Sequence, residues 1–366
     1  MKDAIHVEPS VANRAASERL GFLDHLRIFA FLSVLIGHAL YRPMEAVAQD
    51  ESLHATLRAM MAMVLPLVRL GGAGVTVFFL VSGYIITRVL RSENPAEFAV
   101  KRFFRIYPLY IAAVLALFML RLLSGQGSQL GQLTMQLTLL GDFTDTPYAL
   151  GGVEWTLRIE ILFYGVMGGL SWLFKRTGST MGRSAPIVFL AITLLLTASP
   201  PLTSGVIGWG HWPATGVINL YFPFLLIGAM VYFHEQGHLG RTALGGFIAL
   251  VLAQFYWFTP IYQPLWKDDH HAIIALGIFL LAWYFRSLLI TTPWVRRLSD
   301  MTYPVYLFHN WLYFDLLEQL GRRSGWPESL CVTLSFFILF ATCYLASRLV
   351  EKPFIALGRK VAARWH

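Results

Sequence analysis

Residues 22–40 read FLDHLRIFAFLSVLIGHAL, a stretch long and apolar enough for a membrane helix that still holds Asp24, His25, Arg27 and His38. Ionisable groups inside a membrane helix are costly and mark functional sites. Arg27 and His38 are eleven residues apart. At roughly 100° per residue this is about three turns, so both lie on one helix face, with Cα atoms roughly 16 Å apart. Asp24 precedes Arg27 by three residues and shares that face. One helix therefore carries a cation towards one membrane surface and an imidazole towards the other. Taken alone, the pattern also suits an arginine snorkelling at one helix end and a histidine capping the other.

The rest of the chain has the same character. Of 366 residues, 56% are hydrophobic and only 14% charged, against about 25% charged in ordinary soluble domains. The expected fold is all-α: a polytopic integral membrane bundle. Ten candidate spans fall near 22–40, 70–89, 107–123, 155–174, 186–200, 215–233, 242–259, 271–290, 303–320 and 330–350. The segment 129–141 and the stretch HATLRAMMAMVLPLVRL suit interfacial helices. Of the 29 Lys and Arg, 20 fall on one side of this arrangement and 7 on the other, with Arg27 and Arg158 inside spans. The positive-inside rule then puts both termini in the cytoplasm, Arg27 inward and His38 outward. Because the basic residues follow loop topology, the net charge of +8 does not point to nucleic acid. Cys331 and Cys343, twelve residues apart in one span, cannot pair with each other there. The polar N-terminal 20 residues show no apolar core of a cleavable signal peptide.

Further polar residues sit where a membrane bundle rarely keeps them. The second span, GGAGVTVFFLVSGYIITRVL, has Ser82 at its centre among small residues that also suit plain helix packing. In KRFFRIYPLY, residues 101–110, Lys101, Arg102 and Arg105 precede Pro108, which suits the first turn of the third helix. These are positive-inside anchors or a phosphate-holding cluster. The fourth span carries Arg158 and Glu160, with Tyr164 one turn beyond Glu160. Residues two apart do not face each other, so Glu160 is expected to find its partner on another helix. His309 lies in TYPVYLFHNWLYF, where a neighbouring helix would have to satisfy it. Two patterns invite metal readings. His234-Glu235-Gln236-Gly237-His238 spells the zinc-protease motif. Its glycine and the loop-like residues after it do not suit a helix with both histidines on one face. Asp268-Asp269-His270-His271 starts a helix, where acidic residues are favourable without any metal. No metal is expected.

Taken in order, these segments resemble the acyltransferase family 3 membrane proteins. LDHLRIFAFLSVLIGH matches the Arg-x10-His pattern through Arg27 and His38. FFLVSGYII resembles FFxxSGF/Y, and KRFFRIYPLY resembles RRxxRIxPxY with Lys101 for Arg. WTLRIEILFY resembles WSLxxExxFY with Thr156 for Ser, TYPVYLFH resembles SYPxYLxH with Thr302 for Ser, and VEKPF resembles the family's C-terminal end. His25 departs from the usual Gly. The resemblance spans about residues 20–355. It implies a transmembrane acyltransferase domain over 21–355, between cytoplasmic tails at 1–20 and 356–366. It also implies acyl-CoA, usually acetyl-CoA, as donor and a saccharide or lipid-linked saccharide hydroxyl as acceptor, in a bacterial inner membrane. On that footing His38 is the expected base or transient acyl carrier. Glu160 would orient an imidazole or pair with Arg27, and Arg27, Lys101, Arg102 and Arg105 would hold CoA phosphates. Ser82, Tyr84, Tyr164 and His309 are the expected lining. A transporter or flippase using the same charges is the competing class, and an intramembrane metalloprotease at His234 and His238 a third.

Overall fold

A computed structural model of the protein describes residues 20–123, 125, 130–139, 148–179, 181–199, 216–266, 269–318, 321 and 325–365. The expected N-terminal tail, apart from Leu20, lies outside the described residues, as do Lys267, Asp268, Arg322, Arg323 and the far ends of a few expected spans. Among the described residues there is no strand. Eight helical stretches are long and apolar enough to cross a membrane. Two shorter ones, His271–Tyr284 and Thr302–Asn310 with its π-helical continuation Trp311–Glu318, lie where the remaining two spans were expected. The protein is an all-α polytopic membrane protein.

The bundle is built around α9 (Val217–Glu235), which is apolar and buried on nearly every side, as expected for a helix without a polar face. It packs most extensively on α4 (Gly72–Val89), which in turn packs on α1 (Gly21–Ala39) and α11 (His271–Tyr284). The small residues of the second span are used here. An added Cβ at Gly83 would overlap the Leu225 carbonyl, and one at Gly228 the Leu80 carbonyl, so the α4 and α9 backbones touch. Two outer helices, α2 (Tyr41–Gln49) and α3 (Ala55–Val68), join α1 to α4. The chain enters α4 through Leu70 (φ 49°) and Gly71 (φ 72°). A left-handed leucine is strained, and such positions cluster at functional sites.

Two boundaries differ from the sequence reading. The third span, α5, begins at Pro95 and runs to Leu123, so Pro108 lies inside it, not in its first turn. The local reason is a strong start signal: the Asn94 side-chain oxygen accepts the Glu97 backbone N–H at 2.8 Å, with Pro95 at the first helical position. The second difference is at the C-terminus. Most of the expected tail 356–366 belongs to α15 (Lys352–Ala362), an amphipathic helix that packs against α5. A π-helical stretch, Ser347–Glu351, joins it to α14 (Glu328–Ala346). The remaining helices are α6 (Leu130–Thr138), α7 (Glu154–Thr177), α8 (Met181–Ala198), α10 (Arg241–Tyr262), α12 (Pro293–Asp300) and α13 (Thr302–Asn310).

Candidate active site

Arg27 and His38 open onto two different cavities, one at each end of α1. The cavity at the Arg27 end has a volume of about 500 Å³. Its wall carries six cations, Arg27, Arg102, Arg105, Arg296, Lys352 and Arg359, against three carboxylates, Glu160, Asp300 and Glu351. This is the end that the loop charges lead us to expect at the cytoplasmic face. Some of the cations are fixed by acids. Asp24 is fully buried, accepts from Ser299 at 2.7 Å and Thr291 at 3.1 Å, and lies 3.7 Å from Arg27. Lys352 lies 3.1 Å from Asp300. An excess of positive charge beside a cavity is suited to polyanions, and the guanidinium forks to phosphate.

Glu160 lies deep in this cavity. Its Oε1 accepts from the Ser82 hydroxyl at 3.0 Å and the Tyr164 hydroxyl at 2.5 Å, while Arg102 and Arg105 supply the nearby positive charge. The expectation of a partner on another helix holds for Ser82. The expectations that Glu160 orients an imidazole or pairs with Arg27 do not. The carboxylate belongs to a Ser–Tyr–Glu cluster, because α7 turns its Glu160–Tyr164 face to α4 and not to the outer end of α1. Arg158 points elsewhere, over the Tyr148 ring at 4.6 Å.

The second cavity, about 760 Å³, lies at the His38 end and is walled by aromatic rings, among them Tyr148, Trp155, Tyr221, Trp266 and Tyr306. Into it open both His38 and His309. His309 Nε2 is 3.1 Å from His38 Nδ1. His309 Nδ1 faces the carbonyl oxygens of Tyr306 at 2.8 Å and Val305 at 3.2 Å. Carbonyls only accept, so Nδ1 carries the proton, and in neutral His309 Nε2 must accept. The hydrogen bonds therefore assign the shared proton to His38 Nδ1 and leave His38 Nε2 with the lone pair.

Two of the expected site residues reach neither cavity wall. Lys101 is held by Glu97 at 2.5 Å and Glu93 at 2.9 Å near the start of α5. Tyr84 donates to Glu235 at 2.7 Å on the far side of α4. Their neighbours Ser82 and Arg102 face the cavity because helical periodicity turns residues one or two positions away to other faces. The zinc-like motif is absorbed in the same way. Glu235 also accepts from Trp283 at 2.9 Å, and His234 Nδ1 lies 2.7 Å from the Leu239 carbonyl. At the other metal-like pattern, Asp269 accepts the His271 backbone N–H at 3.0 Å, and His271 Nε2 lies 3.3 Å from the Tyr221 hydroxyl. That chain buttresses the outer cavity wall.

The sequence reading missed Arg296, Lys352, Arg359 and Glu351, which it took as loop anchors or left unassigned, and the aromatic wall of the outer cavity. A signal for Glu351 and Lys352 was available in VEKPF. None marked the two π-helical stretches, one directly after His309–Asn310 and one ending at Glu351. Such stretches are frequent at functional sites.

The profile of the family described as "Acyltransferase domain" matches residues 20–348, nearly all of the chain. The chain belongs to acyltransferase family 3. Two curated relatives agree over most of their length. Nodulation protein 10 of Rhizobium leguminosarum bv. viciae is 24% identical over 397 residues, covering 96% of this chain and 98% of that protein. Exopolysaccharide production protein ExoZ of Rhizobium meliloti (strain 1021) is 34% identical over 320 residues, covering 79% of this chain and 91% of that protein. No solved structure matches. The protein is thus a multi-pass membrane enzyme that transfers acyl groups, and membership removes the ground for the transporter and metalloprotease readings. As an acyltransferase family 3 member it requires an acyl donor and an acceptor.

Proposed function

We propose that this acyltransferase moves an acyl group, acetyl in the first instance, from cytoplasmic acyl-CoA to a hydroxyl of a saccharide at the outer end of the bundle, in a bacterial inner membrane. The observation that carries this reading is the pair His38–His309, opening on an aromatic cavity at the far end of the helix whose Arg27 faces the cation-rich one. The cytoplasmic cavity suits the phosphates of coenzyme A, with Arg27, Arg102 and Arg105 as ligands and Arg296 and Arg359 beside them. Flat aromatic walls suit the apolar faces of sugar rings. The relative whose name refers to exopolysaccharide production supports an acceptor of that class.

In the transfer step the acceptor O–H gives its proton to His38 Nε2 as its oxygen attacks the thioester carbonyl carbon. The new C–O bond forms, the C–S bond breaks, and the departing coenzyme A sulfur takes the proton back from His38. The products are the O-acyl saccharide and free coenzyme A thiol. While His38 is protonated, His309 Nε2 accepts from its Nδ1, so the positive charge forms where an acceptor already points. A neutral imidazole is the suitable base near pH 7. His309 holds the ring orientation and tautomer. Glu160, with Ser82 and Tyr164, shapes the inner cavity and balances Arg102 and Arg105.

The test is mass analysis of surface glycans from cells with and without the gene, together with release of coenzyme A thiol from acetyl-CoA by the purified protein. An acetyl-sized mass difference and thiol release are expected. Unchanged glycans and an inert purified protein would contradict the reading.

A further inference from the structure

The same helix faces line both cavities, and Phe78 of the inner wall stands beside Tyr306 of the outer one. On α4, Ser82 faces the inner cavity and Val75 the outer one, with Phe78 between them. Along α7 and the residue that precedes it the order is Glu160, Thr156, Val153; on α13 it is Thr302, Tyr306, His309. Spacings of three and four residues keep each set on one face. The middle members touch. The Phe78 and Tyr306 rings are parallel within 2°, with centroids 6.2 Å apart. Phe78 lines the inner cavity and Tyr306 the outer one. From Ser82 to Phe78 is one turn, about 6 Å, and from Tyr306 to His309 about 4.5 Å. A single layer of side chains therefore separates the phosphate-binding end from the histidine pair.

We propose that Phe78 and Tyr306 are the septum through which the thioester reaches His38, and that Phe78 sets the cross-section of the acyl group admitted. This rests on the acyl-CoA reading above. The two rings are not equivalent. Tyr306 is anchored at both ends: its hydroxyl lies 2.5 Å from Thr156 Oγ1 and 3.1 Å from the Val153 carbonyl, and its own carbonyl accepts from His309 Nδ1. Moving Tyr306 would disturb the histidine pair. Phe78 is half-buried and bears no polar group; its aromatic neighbours are Tyr306 and Phe79, the latter at 6.0 Å. Phe78 is the ring that swings, and the space it vacates is the width available.

The chemistry of acyl chains then says what is selected. Linear chains present the same cross-section whatever their length. A methyl branch on the carbon next to the carbonyl widens the group at the point that must pass the rings. Discrimination against one misplaced methyl group in an apolar site is typically about 10–200-fold. The septum selects against branching and not against length.

The experiment compares butyryl-CoA with isobutyryl-CoA, isomers of equal mass and polarity. Purified protein in liposomes is supplied with the glycolipid extract of cells lacking the gene, and released coenzyme A thiol gives kcat/KM for each donor. The wild-type protein should favour the linear isomer. In Phe78→Ala the linear-to-branched ratio should fall at least about tenfold, with a smaller fall in Phe78→Leu, which also serves if the alanine variant does not insert. Tyr306→Phe, which keeps the ring, should leave the ratio unchanged. An unshifted ratio in an active Phe78 variant overturns the septum while the donor reading stands. A wild-type protein that uses no acyl-CoA of any kind overturns the donor reading, and the septum with it.

Discussion

The two ends of the bundle solve opposite problems with the same helices. The inner cavity is crowded with charge: six cations, three carboxylates and the Ser82–Glu160–Tyr164 hydrogen bonds. The outer cavity is the larger, about 760 Å³ against 500 Å³, and is mainly aromatic, with two imidazoles and, among the described residues, only Arg42 and Glu328 as charged groups on its wall. A polyanionic donor needs many fixed charges and tolerates redundancy among them. A proton transfer needs one nitrogen in one place. Substitutions at the two ends should therefore fail differently, the outer ones through kcat and the inner ones through KM.

The largest effect is expected at His38. His38→Ala should lower kcat by about 10²–10⁴-fold, the usual contribution of a general base, with normal abundance in the membrane by immunoblot. Next comes His309. Losing the partner of a buried hydrogen bond costs about 1–3 kcal/mol, so His309→Ala should lower kcat by about 5–150-fold and leave the donor KM unchanged in a steady-state titration. Equal losses at the two histidines would make them joint chemical groups. At the other end, Arg105→Ala should raise the KM for acyl-CoA by about tenfold or more, with kcat nearly unchanged. A kcat loss without a KM change would remove Arg105 from donor binding. The smallest effect is Tyr84→Phe. It removes the hydroxyl bonded to Glu235 and should cost about 1 kcal/mol of stability, read as a small drop in thermal midpoint with full activity.

How much of this was legible in the sequence divides along the same line. The order of the long apolar helices followed from hydrophobic runs, because a bilayer leaves helical chains few alternatives; of the ten expected spans, two are shorter helices. That Arg27 and His38 serve different ends followed from eleven residues of helix. The pairing of His38 with His309 did not, since 271 residues separate them and no local pattern encodes a contact between helices. Glu160 was recognisable as needing a partner but not as bonded to Ser82. Tyr84, two residues from Ser82, could not be assigned to the other face without knowing the rotation of α4. Arg296, Lys352 and Arg359 read only as positive-inside anchors, and the same charges line the inner cavity. Pro108 misled because a proline usually opens a helix, whereas Asn94 and Pro95 had already opened this one.

The central claim is that the donor is read at the Arg27 end and the acyl group is delivered at the His38 end. Sealed membrane vesicles of opposite orientation test it most directly, because acyl-CoA does not cross bilayers. Radiolabelled acetyl-CoA added outside inside-out vesicles should label the acceptor in the lumen. The same donor outside right-side-out vesicles should give no label, and His38→Ala should abolish it in the inside-out ones. Labelling of right-side-out vesicles by external donor, or undiminished labelling in the His38→Ala vesicles, would contradict the account.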